Sequence, residues 1–171
     1  MPSFQDFEFR SSTAVNTIHA RKCVPDGAPR AVVQIVHGIA EHIERYDDFM
    51  RYLAENGIVA VGEDHLGHGK SVTQEDDLGF FSDELGWGKV VMDVEHLHDI
   101  MAEEYPGIPY IMFGHSMGSF LTRTFIISHP DKYDAVILSG TGHQSKAMVV
   151  GGYLLAEAIV TAKGPRADGQ K

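Results

Sequence analysis

The chain alternates between short apolar runs and amphipathic stretches, and this alternation indicates the order of its secondary structure. Near the N-terminus, phenylalanines alternate with polar residues over residues 4–10, and a second extended run covers residues 15–24. A period of two residues is typical of strands, so these runs predict an antiparallel hairpin. The nearly continuous β-branched run at residues 31–36 is instead typical of a strand buried on both faces of a parallel sheet.

Helical and strand patterns then alternate along the chain. Three stretches place apolar residues at helical spacing: residues 42–55, 87–101 and 120–128. Short apolar runs lie between and after them: residues 58–62, 110–113 and 133–138. Strands that alternate with helices predict an α/β fold with a doubly wound, mostly parallel sheet. Residues 72–83 are polar and acidic and are interpreted as a loop.

A further apolar stretch at residues 147–162 contains one charged side chain, Glu157. It is too short to span a bilayer, which needs about 20 residues, so we expect no stable membrane insertion. Two interpretations remain open: the first helix of a cap, or a core helix of the sheet domain.

The composition of the chain argues against certain classes of binding partner. The chain has 171 residues with a formal net charge of -10, and Lys and Arg form no cluster, which argues against binding to nucleic acid or anionic membranes. The N-terminus lacks the basic and apolar regions of a secretory signal. The lone Cys23 excludes an internal disulfide and suits a reducing compartment, so we expect a cytoplasmic location.

The strongest chemical signal is Gly-His-Ser-Met-Gly at residues 114–118, where an apolar run ends and a helical pattern begins. This G-x-S-x-G pattern at a strand-to-helix turn exposes a serine hydroxyl, and the glycines remove side chains that would clash there. We therefore predict Ser116 as a nucleophile. The backbone N–H of Met117, directly after it, is the first predicted donor to an oxyanion.

The second donor should come from the loop after the strand at residues 31–36. That loop reads His37-Gly38-Ile39, and we predict that the Ile39 N–H completes the oxyanion hole while Gly38 lets the backbone approach a substrate. His37, Gly38 and His115 are predicted to line the substrate site, with His115 acting chiefly as a scaffold residue.

A serine nucleophile also needs a base and an acid, which follow it along the chain in this architecture. The candidates after Ser116 are the following residues: His129, His143, Asp131, Asp134, Glu157 and Asp168. None of them forms a recognisable triad, because His129 falls at the far end of the helix after Ser116 and no acid in a strand-end loop accompanies His143. We expect that the chain is a truncated part of a longer protein.

A second histidine-rich loop, Asp64-His65-Leu66-Gly67-His68, has no zinc-type spacing. We interpret it as the rim of the site, with Asp64 anchoring backbone N–H groups. Neither a metal nor a cofactor is predicted.

Three segments, residues 37–42, 64–71 and 114–118, resemble the monoacylglycerol lipase and lysophospholipase branch of the α/β-hydrolase family, which includes serine aminopeptidase S33-type hydrolases. The resemblance implies a cofactor-independent serine hydrolase that cleaves carboxylic esters of monoacylglycerols or lysophospholipids. It makes residues 1–144 the N-terminal part of the hydrolase core and residues 145–171 the start of a helical cap.

Family members continue beyond this length through further strands, the catalytic acid and the catalytic histidine. The resemblance therefore implies a sheet truncated before its last strands, an unpaired edge at residues 133–138 that could self-associate, and a 171-residue chain that is inactive alone. Two other functions remain open: an inactive fragment that acts as a binding partner, and an α/β-hydrolase of other chemistry, such as a thioesterase, peptidase or haloperoxidase.

Overall fold

A single six-stranded sheet organises the first part of the protein, with the strand order β1-β2-β4-β3-β5-β6. The strands are β1 (Ser3–Arg10), β2 (Thr17–Val24), β3 (Ala31–Val36), β4 (Ile58–Glu63), β5 (Tyr110–His115) and β6 (Ala135–Ser139). β1 and β2 form the predicted antiparallel hairpin, and β2 also pairs antiparallel with β4. The pairings β4–β3, β3–β5 and β5–β6 are parallel. The predicted mostly parallel α/β sheet is confirmed.

The computed structural model describes residues 1–164. They belong to two units, Met1–Thr141 and Gly142–Lys171. Residues 165–171, which contain Asp168 and the end of the predicted cap segment, lie outside the described residues.

Within residues 1–164, four α-helices accompany the strands: α1 (Asp47–Glu55), α2 (Gly86–Glu104), α3 (Met117–Ser128) and α4 (Lys146–Lys163). The continuous helix predicted from residue 42 is interrupted, because a 3-10 turn at Ile43–Tyr46 precedes α1. The reason lies outside the local sequence: the Ile43 N–H donates to Asp64 Oδ1 at 2.7 Å, which ties the first turn to the loop after β4. Two further 3-10 turns follow β4, at Gly69–Ser71 and at Glu75–Asp77, and the latter lies within the predicted loop.

The core has two layers, one on each face of the sheet. Val32 and Val36 of β3 pack on one face in a cluster with buried residues of α2 and α3. Val33 and Ile35 pack on the other face in a cluster with residues of α1, including Met50. Because helices cover both faces, β3 is apolar at successive positions rather than at alternate ones. This arrangement confirms the doubly wound interpretation.

β6 lies at one end of the sheet in the described part of the chain. In the second unit, α4 begins after Ser145, whose Oγ accepts a hydrogen bond from the Met148 N–H at 3.3 Å. Among residues 1–164, no helix combines the length and the apolar character needed to cross a membrane.

Candidate active site

Ser116 lies between the end of β5 and the start of α3, in a backbone conformation that non-glycine residues rarely adopt. Its φ is 51° and its ψ is -119°, a region that costs of order 1–3 kcal/mol to occupy. Three hydrogen bonds hold it there: the Ser116 N–H donates to the Ser139 carbonyl at 2.9 Å, and the Ser116 carbonyl accepts from the Ser119 N–H at 2.9 Å and from Ser119 Oγ at 2.6 Å. This is the sharp, strained strand-to-helix turn that the G-x-S-x-G pattern predicts.

The two glycines of the motif allow close contacts that a side chain would prevent. A Cβ atom on Gly118 would lie 1.9 Å from the Val36 carbonyl oxygen and 2.5 Å from that of His37. A Cβ on Gly114 would lie 2.5 Å from Thr122 Oγ1. The first turn of α3 therefore packs directly on the end of β3, and this contact brings the loop after β3 beside Ser116.

Two backbone N–H groups flank the Ser116 side chain. Met117 is the first residue of α3, so its N–H has no acceptor within the helix and lies at the positive end of the helix dipole. On the other side, a Cβ atom on Gly38 would lie 3.0 Å from Ser116 Cβ. Ile39 follows Gly38 and is 67% exposed, and its N–H makes no hydrogen bond to the described residues. The two predicted oxyanion donors thus lie in the loop and helix that meet at Ser116.

Glu41 stabilises the Gly38 loop from within. Its Oε1 accepts hydrogen bonds from the Gly38 N–H and from the Tyr46 hydroxyl, the latter at 2.8 Å. Burial acts to raise the pKa of Glu41, but these hydrogen bonds prevail and hold that pKa below its usual value. The carboxylate is therefore charged at neutral pH. Sequence reasoning assigned no role to Glu41, although it lies inside one of the resembling segments.

The side chain of His37 lies inside the protein, and contact between His37 and a substrate stays a prediction. The ring is fully buried, its Nδ1 lies 2.7 Å from the Gly38 carbonyl oxygen, and its Nε2 accepts from the His65 N–H at 3.0 Å. Burial lowers the pKa of His37 to about 4, so the ring is neutral at pH 7. With both nitrogens engaged, only the backbone of His37 is left for contact with a substrate.

His115 lies at the end of β5, and its Nδ1 is 3.3 Å from Ser139 Oγ. A Cβ atom on Gly140 would lie 3.3 Å from the ring, so the turn after β6 packs closely against it. The position fits the scaffold interpretation. Contact between His115 and a substrate stays a prediction.

Asp64 holds together the loops after β3 and β4. Its side chain is buried and accepts from the Ile43 N–H at 2.7 Å and from the Lys70 N–H at 2.8 Å. A Cβ atom on Gly69 would lie 2.3 Å from this carboxylate. Asp64 therefore anchors backbone N–H groups, as interpreted from the sequence. In the described part of the chain, no three His, Cys, Asp or Glu side chains are arranged to hold a metal ion.

The candidate bases and acids are dispersed. His129 follows α3 at the end distant from Ser116 and lies 3.3 Å from Glu95. Asp134 accepts from the Tyr110 N–H at 2.7 Å, at the opposite end of β5 from Ser116. His143 belongs to the second unit. Within the first unit, residues 1–141, no imidazole makes a hydrogen bond to the Ser116 hydroxyl.

Several known proteins are similar to this chain in sequence. The profile of the family described as serine aminopeptidase, S33, matches residues 27–167. A monoacylglycerol lipase of Mycolicibacterium smegmatis is 35% identical over 116 residues, which cover 68% of this chain and 39% of that protein. A monoglyceride lipase homolog of monkeypox virus is 33% identical over 121 residues, which cover 71% of this chain and 42% of that protein.

The similarity extends to three dimensions. The crystal structure of a carboxyl esterase from Bacillus coagulans in complex with glycerol superposes with a TM-score of 0.86 at 34% identity. The superposition covers 97% of this chain and 53% of that chain. The chain thus spans about 40% of the length of the two curated relatives and about half of the esterase.

Proposed function

Because the chain belongs to the serine aminopeptidase S33 family of α/β-hydrolases, in the branch that resembles the monoacylglycerol lipases, we propose that Ser116 is the nucleophile of a carboxylic ester hydrolase. The proposed substrates are monoacylglycerols or lysophospholipids. One observation carries the proposal: Ser116 is held in a strained elbow where the Ile39 loop and the first turn of α3 meet.

The proposed reaction is acyl transfer in two steps. The Ser116 hydroxyl attacks the ester carbonyl and loses its proton to a base, and the resulting oxyanion accepts hydrogen bonds from the Ile39 and Met117 N–H groups. Collapse of the tetrahedral intermediate breaks the ester C–O bond, and the base returns the proton to the departing alcohol. Water then attacks the acyl-serine by the same route, which releases the fatty acid and restores the Ser116 hydroxyl.

The base and its acid are proposed to come from outside residues 1–164, because no His and acid after Ser116 form a recognisable triad and no imidazole in residues 1–141 makes a hydrogen bond to the Ser116 hydroxyl. A serine hydroxyl is a weak nucleophile without such a base. An oxyanion hole and substrate binding alone still provide roughly 10³–10⁴-fold acceleration over water. We therefore propose that the 171-residue chain alone is nearly inactive and that imidazole in solution partly replaces the base.

The substrate class is proposed from the relatives named monoacylglycerol lipases. α4 carries apolar side chains, including Leu154 and Leu155, and we propose that it contributes apolar surface for the acyl chain. The buried thiol of Cys23 and the absence of any disulfide in the described residues fit the proposed cytoplasmic location.

A substrate panel tests the proposal. The panel contains monoacylglycerols, lysophospholipids, acyl thioesters and peptide amides, each measured with and without imidazole for the wild type and the Ser116→Ala control. We expect Ser116-dependent, imidazole-stimulated release of fatty acid from the oxygen esters. A preference for thioesters or amides would instead indicate an α/β-hydrolase of other chemistry.

One observation favours a second candidate function, an inactive binding partner: the Ser116 hydroxyl makes no hydrogen bond to an imidazole within residues 1–141. A fluorophosphonate distinguishes the two candidates, because it reacts with an activated serine. Covalent labelling that disappears in Ser116→Ala supports the hydrolase, whereas an unlabelled wild type in the presence of imidazole supports the binding partner.

The outer edge of β6 is proposed to support self-association. β6 pairs with β5 alone among the described residues, so its other edge presents backbone N–H and C=O groups. Sedimentation velocity checks this: a proline at Ile137, which is half-exposed, should reduce any concentration-dependent dimer, whereas a monomeric wild type would contradict the proposal.

A further inference from the structure

The loop that carries the Ile39 N–H rests on a pair of buried histidines, His37 and His65. Their rings stack with centroids 3.9 Å apart, and both side chains are fully buried. Two hydrogen bonds join them: the His65 N–H donates to His37 Nε2 at 3.0 Å, and His65 Nε2 lies 3.2 Å from the His37 carbonyl oxygen. The pair therefore connects the loop after β4 to the loop after β3.

These contacts determine where each ring carries its proton. His37 Nε2 accepts a hydrogen bond, so the proton of the neutral ring lies on Nδ1 and is donated to the Gly38 carbonyl oxygen at 2.7 Å. His65 Nε2 faces a carbonyl oxygen, which can only accept, so that nitrogen carries the proton. His65 Nδ1 is left as an acceptor 3.3 Å from Glu63 Oε1, and Glu63 must donate to it.

The electrostatics of the buried pair agree with this assignment. Burial raises the pKa of Glu63 well above its usual value and lowers the pKa of His65 well below its usual value. His65 is therefore neutral at pH 7, and the raised pKa of Glu63 favours the protonated carboxyl that donates to His65 Nδ1. Glu63, His65 and His37 thus form a row of hydrogen bonds in which each ring nitrogen has one role, donor or acceptor.

The hydrogen bond from His37 Nδ1 to the Gly38 carbonyl fixes the orientation of the peptide between Gly38 and Ile39. The Gly38 carbonyl and the Ile39 N–H belong to one trans peptide, in which the two groups point in opposite directions. The His37 Nδ1–H holds the carbonyl toward the buried ring, so the Ile39 N–H points away from the ring, toward the exposed side. Glu41 fixes the preceding peptide by binding the Gly38 N–H.

We propose that His37 and His65 are positioning residues that orient the Ile39 N–H toward the oxyanion without touching the substrate. The inference rests on the proposed function, in which Ile39 is an oxyanion donor. Removing one such donor typically lowers kcat by about 10²–10³-fold. A rotated donor keeps part of its effect, so we expect a loss of about 10- to 100-fold when the Gly38 carbonyl is released.

Two substitutions at His37 form a matched pair. In His37→Asn, the side-chain amide occupies the place of Nδ1 and still donates to the Gly38 carbonyl. In His37→Gln, the side-chain amide reaches the place of Nε2. It still accepts a hydrogen bond from the His65 N–H, but it no longer donates to the Gly38 carbonyl. Thermal unfolding checks that each variant is folded.

Two readouts are combined in the 171-residue chain. The first is the rate of Ser116 labelling by a fluorophosphonate in imidazole buffer. The second is the residual dipolar coupling of the Ile39 N–H, which reports the direction of that bond and needs no catalysis. Nitrogen-15 spectra of the wild type also report the tautomer of each histidine ring, and we expect protons on His37 Nδ1 and His65 Nε2.

We expect His37→Gln to slow labelling by about 10- to 100-fold and to change the Ile39 coupling, and His37→Asn to restore both toward the wild-type values. An unchanged coupling and labelling rate in His37→Gln would overturn the inference, as would a wild-type His37 protonated on Nε2, even if the variants do not fold. If the wild type is not labelled, the proposed function fails, and the coupling and tautomers still decide this inference.

Discussion

Replacing Gly118 with alanine tests whether the close approach of α3 to β3 builds the site. The new methyl would lie 1.9 Å from the Val36 carbonyl oxygen and 2.5 Å from that of His37, whereas ordinary contacts begin near 3.4 Å. The first turn of α3 must therefore move by up to 1.5 Å, the difference between 3.4 and 1.9 Å. Overpacking of this kind costs about 1–3 kcal/mol or more, and the higher helix propensity of alanine offsets about 1 kcal/mol.

We expect Gly118→Ala to lose about 2 kcal/mol in the free energy of unfolding, measured by urea denaturation. Because Ser116 and the Met117 N–H move with the helix, Ser116 labelling should fall by about 100-fold, as a misplacement near 1 Å can cause. The matched control is Gly88→Ala in α2, where the methyl meets only Leu85 Cβ at 3.9 Å, and we expect no loss of labelling. A Gly118→Ala protein as stable and as reactive as the wild type would refute this reasoning.

Three further predictions follow from buried and exposed side chains. Asp64→Ala leaves one buried and one partly buried N–H donor without acceptors and should cost about 2–4 kcal/mol in urea denaturation, whereas the exposed Asp76→Ala should cost little; equal stability of the two would contradict the anchoring role. Burial raises the pKa of Glu63 well above its usual value of 4.5 in the folded state, so Glu63→Gln should gain relative stability as pH rises above that value, by up to about 1.4 kcal/mol per pH unit; a difference that does not vary between pH 5 and 7 would contradict a protonated Glu63 in the folded state. Replacing Leu154 and Leu155 with aspartate should reduce the preference for long acyl chains, measured as the ratio of hydrolysis rates of long and short esters in imidazole buffer, and retention of that preference would exclude α4 from acyl-chain binding.

Much of the fold is determined by local pattern. β3 is buried at all six of its positions and apolar at five of them, because helices cover both of its faces, and such a run has few alternatives to a central parallel strand. The elbow is equally local, because the strand, the glycines and the helix that create it are consecutive in sequence. Ser116 could therefore be predicted as a candidate nucleophile without knowledge of the tertiary structure.

The features that sequence reasoning missed depend on distant residues. The 3-10 turn before α1 is tied by Asp64, which lies 21 residues beyond Ile43. The burial of His37 depends on His65, which lies 28 residues further along the chain. A histidine followed by glycine at the end of a strand gives no sign of whether its ring faces solvent or another ring. Only one feature of the sequence indicates that the Glu63 carboxyl is buried, namely its position at the end of a strand, next to Asp64.

The central claim is that Ser116 is a nucleophile served by the oxyanion donors of Ile39 and Met117. The most direct measurement is the intact mass of the 171-residue chain after exposure to a p-nitrophenyl ester at increasing concentrations of imidazole. The account predicts a single acyl adduct on Ser116, formed at a rate that rises in proportion to imidazole and absent in Ser116→Ala. An adduct of equal amount in Ser116→Ala, or none at any imidazole concentration, would contradict it.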